Sequence, residues 1–206
     1  MKYPEIHIQY GWLLAGATAE GLNKAWGDGT PLRSDEENKK ITKDYYEAWR
    51  PYEKKILKAM CDTLGLSFRH NIIDVYIAPW MNAYSTPMVV GVTYSPDRFV
   101  EVLTHELLHR LLTENNETNW RDIRVTRWEK LFGKHKFNVT VHIPVHAVYQ
   151  AVFDDVLGEP QRTRNDRELC RQWPPYDAAW QYVEKHGYKE IIKKLKKDYA
   201  ELREQA

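Results

Sequence analysis

The run His105-Glu106-Leu107-Leu108-His109 sets two imidazoles and a carboxylate at a spacing that suits a divalent metal ion. On an α-helix, residues four apart differ by only about 40° around the axis, so both rings can reach one cation. Zinc accepts nitrogen ligands of this kind and at catalytic sites takes three protein ligands with one position open. Glu106 lies beside the pair rather than in line with it. From there its carboxylate can take a proton from a zinc-activated water and later hand it to a leaving group. The implied chemistry is hydrolysis with Zn2+ as cofactor, His105 and His109 as metal ligands and Glu106 as general base.

A third protein ligand is then required, and the stretch Val141-His142-Ile143-Pro144-Val145-His146-Ala147-Val148-Tyr149-Gln150 supplies the best choice. Pro144 reads as the opening of a helix, which puts His146 in the first turn with Gln150 and Phe153 on the same face to orient or shield it. His146 is therefore the expected third ligand. His142 precedes that helix start and is the second choice, better suited to donate to a transition state. His135 and Glu129 are further alternatives. Tyr149 or Tyr84 could steady an oxyanion, and Asp154 or Asp155 could fix the tautomer of a metal-binding histidine.

Ser95-Pro96-Asp97 supplies an N-cap, a proline at the first helical position and an early acid, which predicts a helix from Pro96 to about Thr113. Val100, Leu103, Leu107 and Leu111 gather largely opposite the histidines, leaving the histidine face toward a possible cleft. Ahead of it, Ile72–Ile77 and Met88–Tyr94 read as β-rich runs. Residues from about Glu5 to Ala25 read as a helix on the spacing of Ile8, Trp12, Ala15 and Ala19, stopped by the Gly27-Asp28-Gly29-Thr30-Pro31 cluster. A second helical stretch, Ser34 to Leu64, opens with a capping box at Ser34 and Glu37 and should kink or split near Pro51. Beyond the histidine helix come a helix from Thr118 to Phe132, a β-like piece from Phe137 to Ile143, and a helix from Pro144 to Gly158. Two last helices are separated by Gly187. The expected class is α+β, mainly helical around a small sheet of about three strands. One domain over 1–206 is expected, with a helical part over 1–64, the zinc-binding core over 65–160 and C-terminal helices over 161–206.

With 206 residues, 43% of them hydrophobic, the chain can bury one substantial core. A net charge of +1 despite 29% charged residues gives no field to attract nucleic acid or an anionic membrane, so neither is an expected partner. The lysine-rich tail from Lys185 to Lys197 carries Ile191, Ile192, Leu195, Tyr199 and Leu202 at helical spacing, as a docked surface helix does. No signal peptide or spanning segment is legible, and Cys61 and Cys170 fall in no CxxC or other metal-ligand spacing. This usage fits a reducing, cytoplasmic setting.

Around the motif, the segment is similar to the active-site helix of the zincin metallopeptidases, in particular the compact gluzincin-type HEXXH peptidases. Asn82-Ala83-Tyr84, the β-rich run through Val89 and Val90, and Val102-Leu103-Thr104-His105-Glu106 resemble their strand-then-helix layout. The likeness covers 72–113 well, 141–158 loosely and the rest hardly at all. It implies a zinc metallopeptidase acting on a peptide or protein substrate, with Met88–Val92 as a cleft rim that offers its backbone edge to the extended substrate. Gluzincins take their third ligand as a glutamate from a later helix. That pattern is not clean here, nor does Arg110-Leu111-Leu112-Thr113-Glu114-Asn115 carry the metzincin extension, so His146 stands in the glutamate's place. Alternative expectations are a zinc hydrolase of non-peptide amides and a non-catalytic, metal-binding regulatory protein.

Overall fold

The computed structural model describes residues 3–16, 33–79, 81–116 and 124–205. Among these the chain is mainly helical with one small sheet, an α+β arrangement as expected. The sheet has four strands rather than three, in the order β1-β2-β4-β3, with β1 Glu5–Tyr10, β2 Ile72–Ile77, β3 Tyr84–Ser85 and β4 Met88–Val90. The helices are α1 (Asp35–Trp49), α2 (Glu53–Leu64), α3 (Pro96–Thr113), α4 (Arg124–Phe132), α5 (Phe137–Gln150), α6 (Pro160–Cys170), α7 (Pro174–His186) and α8 (Tyr188–Gln205). None of them is long and apolar enough to cross a membrane. Contacts group into two compact units, one of residues 4–54 and 71–106, the other of residues 55–70 and 107–205 with Tyr3.

The first unit holds the sheet. Glu5–Tyr10 is a strand, not the start of a helix, so the expectation of an all-helical segment over 1–64 is corrected. Its Ile6, Ile8 and Tyr10 also alternate, and parallel pairing with β2, Glu5 opposite Ile72 through Tyr10 opposite Ile77, satisfies the backbone of both. Residues 12–16 are helical. The remainder of the expected helix to Ala25, and its stop at Gly27–Pro31, lie outside the described residues. The capping box of α1 is present: Glu37 N donates to Ser34 Oγ at 3.2 Å and Ser34 N to Glu37 Oε2 at 2.7 Å. The split near Pro51 falls between Trp49 and Glu53.

Met88–Val90 does not supply a free edge. It pairs in parallel with β2 on one side and antiparallel with β3 on the other, and all three residues are buried. The outer strand on that side is the two-residue β3, so the expected rim at Met88–Val92 is corrected: its backbone groups are spent within the sheet. The same unit fixes the start of α3. Ser95 Oγ accepts from Arg98 N at 3.2 Å, Tyr45 Oη donates to Tyr94 O at 2.8 Å, and the Tyr45 ring stacks on Phe99 with centroids 4.2 Å apart.

In the second unit, α5 is the central element, meeting α4, α6, α7 and α8. The strand expected over Phe137–Ile143 is helix, and Pro144 lies inside it rather than at its start. Val139, Thr140, Val141 and Ile143 favour strands by their branched side chains, but packing against the four neighbouring helices overrides a propensity of less than about 1 kcal/mol per residue. The helix expected from Thr118 is described from Arg124. α8 docks as expected, burying Ile191, Ile192, Leu195 and Tyr199, with an ion pair between Arg127 and Asp198 and a bond from Tyr199 Oη to Leu112 O.

Gly91, just after β4, tolerates no side chain: an added Cβ would stand 2.2 Å from the carbonyl oxygen of Met81. Because that neighbour is backbone, the strand itself must shift. Gly91→Ala should lower stability by about 1–3 kcal/mol, read as a lower urea midpoint with an unchanged slope. A midpoint equal to that of the wild type would show that the segment yields freely.

Candidate metal centre

α3 is one continuous helix from Pro96 to Thr113, so its geometry sets His105 and His109 one turn apart. The apolar side, Phe99, Val100, Leu103, Leu107, Leu108, Leu111 and Leu112, is buried to 0% exposure, while both histidines are half-buried. From α5, the buried His142 joins them, and the three residues each offer a nitrogen within 4.8 Å of the others. His109 Nε2 and His142 Nε2 are 3.3 Å apart with ring planes at 87°. Two nitrogens on a tetrahedral zinc, each at about 2.0–2.1 Å, lie about 3.3–3.4 Å from each other. The separation in the protein fits that edge.

His142 is held by its other nitrogen. Nδ1 lies 2.5 Å from the carbonyl oxygen of Asn138, one turn earlier, and a carbonyl can only accept, so Nδ1 carries the proton. Nε2, facing His109, therefore presents a lone pair. A backbone carbonyl fixing the tautomer of a ligating imidazole is the usual support for a metal-binding histidine. The donor set fits zinc: three imidazole nitrogens, one of them pre-oriented.

Burial disfavours the charged forms of His109, His142 and Glu106 in the metal-free protein. Burial, and secondarily the nearby His142, pushes His109 down to about 3. Burial pushes His142 down to about 4 despite its bond to Asn138 and the charge of Asp166. Glu106, 8% exposed, is pushed up to about 8 by burial. Burial also raises the Tyr94 hydroxyl from its ordinary value, against the charge of Arg98 and with a smaller push from Glu106.

The structure brings His105 and His109 together with His142, the second choice of the sequence reading. His146, the first choice, is fully buried one turn further along α5 and groups with Asp166 and Cys170. Its ring stacks on Trp180 at 4.4 Å and 13°. His135 instead bonds Phe132 O through Nε2 at 3.1 Å and meets Tyr182, and Glu129 stands half-buried on α4. Gln150 donates to Asp154, which also accepts from Thr163; Asp155 accepts from Tyr188 and pairs with Lys189. Tyr149 is buried against Phe153 and Trp180, and Tyr84 is half exposed on β3. Two neighbours of the cluster escaped the sequence reading. Tyr176 of α7 packs its ring 4.1 Å from that of His142, and Trp180 covers His146. An aromatic pair four apart on a helix gives no sign of what it will cover. Comparison with protein-family models, with curated proteins and with solved structures finds no match for the chain.

These pKa displacements set a pH dependence for the metal-free protein. The depressed histidines contribute stability that is fully present above their ordinary value near 6.5 and lost as pH falls toward about 4 for His142 and about 3 for His109. Each contributes a slope of about 1.4 kcal/mol per pH unit over that range. Glu106 has the opposite sense: its contribution is complete below 4.5 and is lost as pH rises through about 8. In chelator, urea titrations should place maximal stability near pH 6.5. Glu106→Gln should flatten the alkaline side and His142→Gln the acid side. Identical curves for all three proteins would contradict this account of the buried charges.

Proposed function

We propose that the chain is a zinc-dependent hydrolase of the metallopeptidase type, with His105, His109 and His142 holding the ion and Glu106 transferring the proton. One observation carries this reading: imidazoles from two helices converge, their nitrogens within 4.8 Å of one another, and the residue that follows the first of them in sequence is a buried glutamate. Zinc bound there would polarise a scissile carbonyl and bring the pKa of a water toward neutrality.

The remaining work falls to the chain's own groups. His142, its Nδ1 committed to Asn138 O, offers Nε2 without reorganisation. Glu106 accepts a proton from the attacking water on a carboxylate oxygen and returns it to the leaving nitrogen. A carboxyl raised by burial and drawn back down by an adjacent cation has the intermediate basicity that both halves of this transfer need. Tyr176, half-buried against His142, is the tyrosine we assign to steady negative charge on the carbonyl oxygen, ahead of the buried Tyr149 and the outlying Tyr84. Peptide or protein is the substrate class we favour, on the likeness of the 96–113 helix to zincin active-site helices. A cytoplasmic setting agrees with Cys61 and Cys170 forming no disulfide.

The test is Glu106→Gln in zinc-loaded protein, assayed against a quenched peptide library and a set of small amides. The variant should keep its zinc and lose at least about 100-fold in turnover, whereas His142→Ala should lose the zinc itself. An undiminished rate removes Glu106 from the mechanism. Cleavage of small amides alone points to a non-peptide amidase, and zinc retention without any hydrolysis by the wild type points to a regulatory metal site.

A further inference from the structure

α5 carries its second histidine among a different set of donors. Around the fully buried His146 stand Asp166 and Cys170, 4% and 7% exposed, and the three donor atoms lie within 4.8 Å of one another. Asp166 and Cys170 are one turn apart on α6, so the group repeats the plan of the first: one histidine of α5 met by an i, i+4 pair from another helix. We propose that His146, Asp166 and Cys170 form a second divalent-metal site, for zinc or a metal of similar borderline softness, distinct from the one built on His105 and His109.

Imidazole, thiolate and carboxylate are all zinc ligands. With zinc–sulfur near 2.3 Å and zinc–oxygen near 2.0–2.2 Å, a tetrahedral sulfur–oxygen edge measures about 3.5 Å. Cys170 Sγ lies 3.5 Å from Asp166 Oδ2. Trp180 braces two of the ligands from outside, its indole N–H donating to Asp166 Oδ2 at 3.2 Å while its ring lies on His146. Charge favours the assignment as well. A dication with one carboxylate, one thiolate and one neutral imidazole is electrically neutral, the state that costs least to keep in a dry interior. Binding converts the Cys170 thiol to thiolate, its proton passing to solvent as the metal–sulfur bond forms. Enclosed in this way, the ion would tie α5 to α6 and meet no substrate.

Cobalt substitution separates this from a metal-free thiol–carboxylate hydrogen bond. Full-length protein produced with Co2+ in place of Zn2+ should show the near-ultraviolet thiolate-to-cobalt absorption. The chain has only two cysteines, so Cys61→Ser should keep the band and Cys170→Ser should lose it together with one equivalent of metal. The double variant His105→Ala/His109→Ala should retain the band, because the two groups share no ligand. Cobalt-loaded wild type without a thiolate band overturns the proposal, as does a Cys170→Ser protein with the band and metal content unchanged. Should the band persist while the double variant loses no metal, the first site fails and this one stands.

Discussion

An imidazole is buried at tolerable cost only as the neutral ring with its N–H satisfied, and α5 buries two of them one turn apart. Every residue from His142 to Tyr149 is buried, so this stretch of the helix has no solvent face on which to place a charge. His142 meets the requirement by donating from Nδ1 to Asn138 O, within its own helix. The price of that bond is directional: the unprotonated Nε2 must point outward from α5, and it points at His109. The candidate centre follows from how one buried ring is satisfied.

Placement of the HExxH residues depends on a separate device. Ser95 caps α3, and the Tyr45 ring stacked on Phe99 secures its first turn. From that start the rotation of 100° per residue determines where His105, Glu106 and His109 lie. Burial then acts in opposite senses on acid and base. It keeps His109 and His142 unprotonated and Glu106 protonated near neutrality. A cation added to such a site reinforces the first condition and reverses the second.

How much was legible in the sequence depended on whether the signal was local. The bounds of α3 and the capping box of α1 were readable because caps act within four residues. β1 was not, since Ile8, Trp12, Ala15 and Ala19 satisfy a helical spacing while only the distant β2 makes Glu5–Tyr10 a strand. α5 failed in the opposite direction: its branched residues favour a strand, and burial from several sides made it a helix. That error decided the ligand choice. With Pro144 read as a helix start, His142 fell outside the helix and His146 took the first turn. Once the helix begins at Phe137, both are interior, and the selection passes to whichever faces α3. Asp166 and Cys170 gave no signal because their third partner comes from another helix.

The two donor groups differ most in the charge they would leave on an ion. Three neutral imidazoles remove none of a dication's charge, so an ion among His105, His109 and His142 retains full polarising power over an incoming carbonyl or water. Asp166 and Cys170 supply two negative charges and would cancel it, leaving an ion that can cross-link helices but has little attraction for a further oxygen. On the proposed reading, chemistry would therefore fall to the all-histidine group of His105, His109 and His142, and structural support to the enclosed group beside Trp180. α5 contributes one histidine to each, so a displacement of this helix would disturb both together.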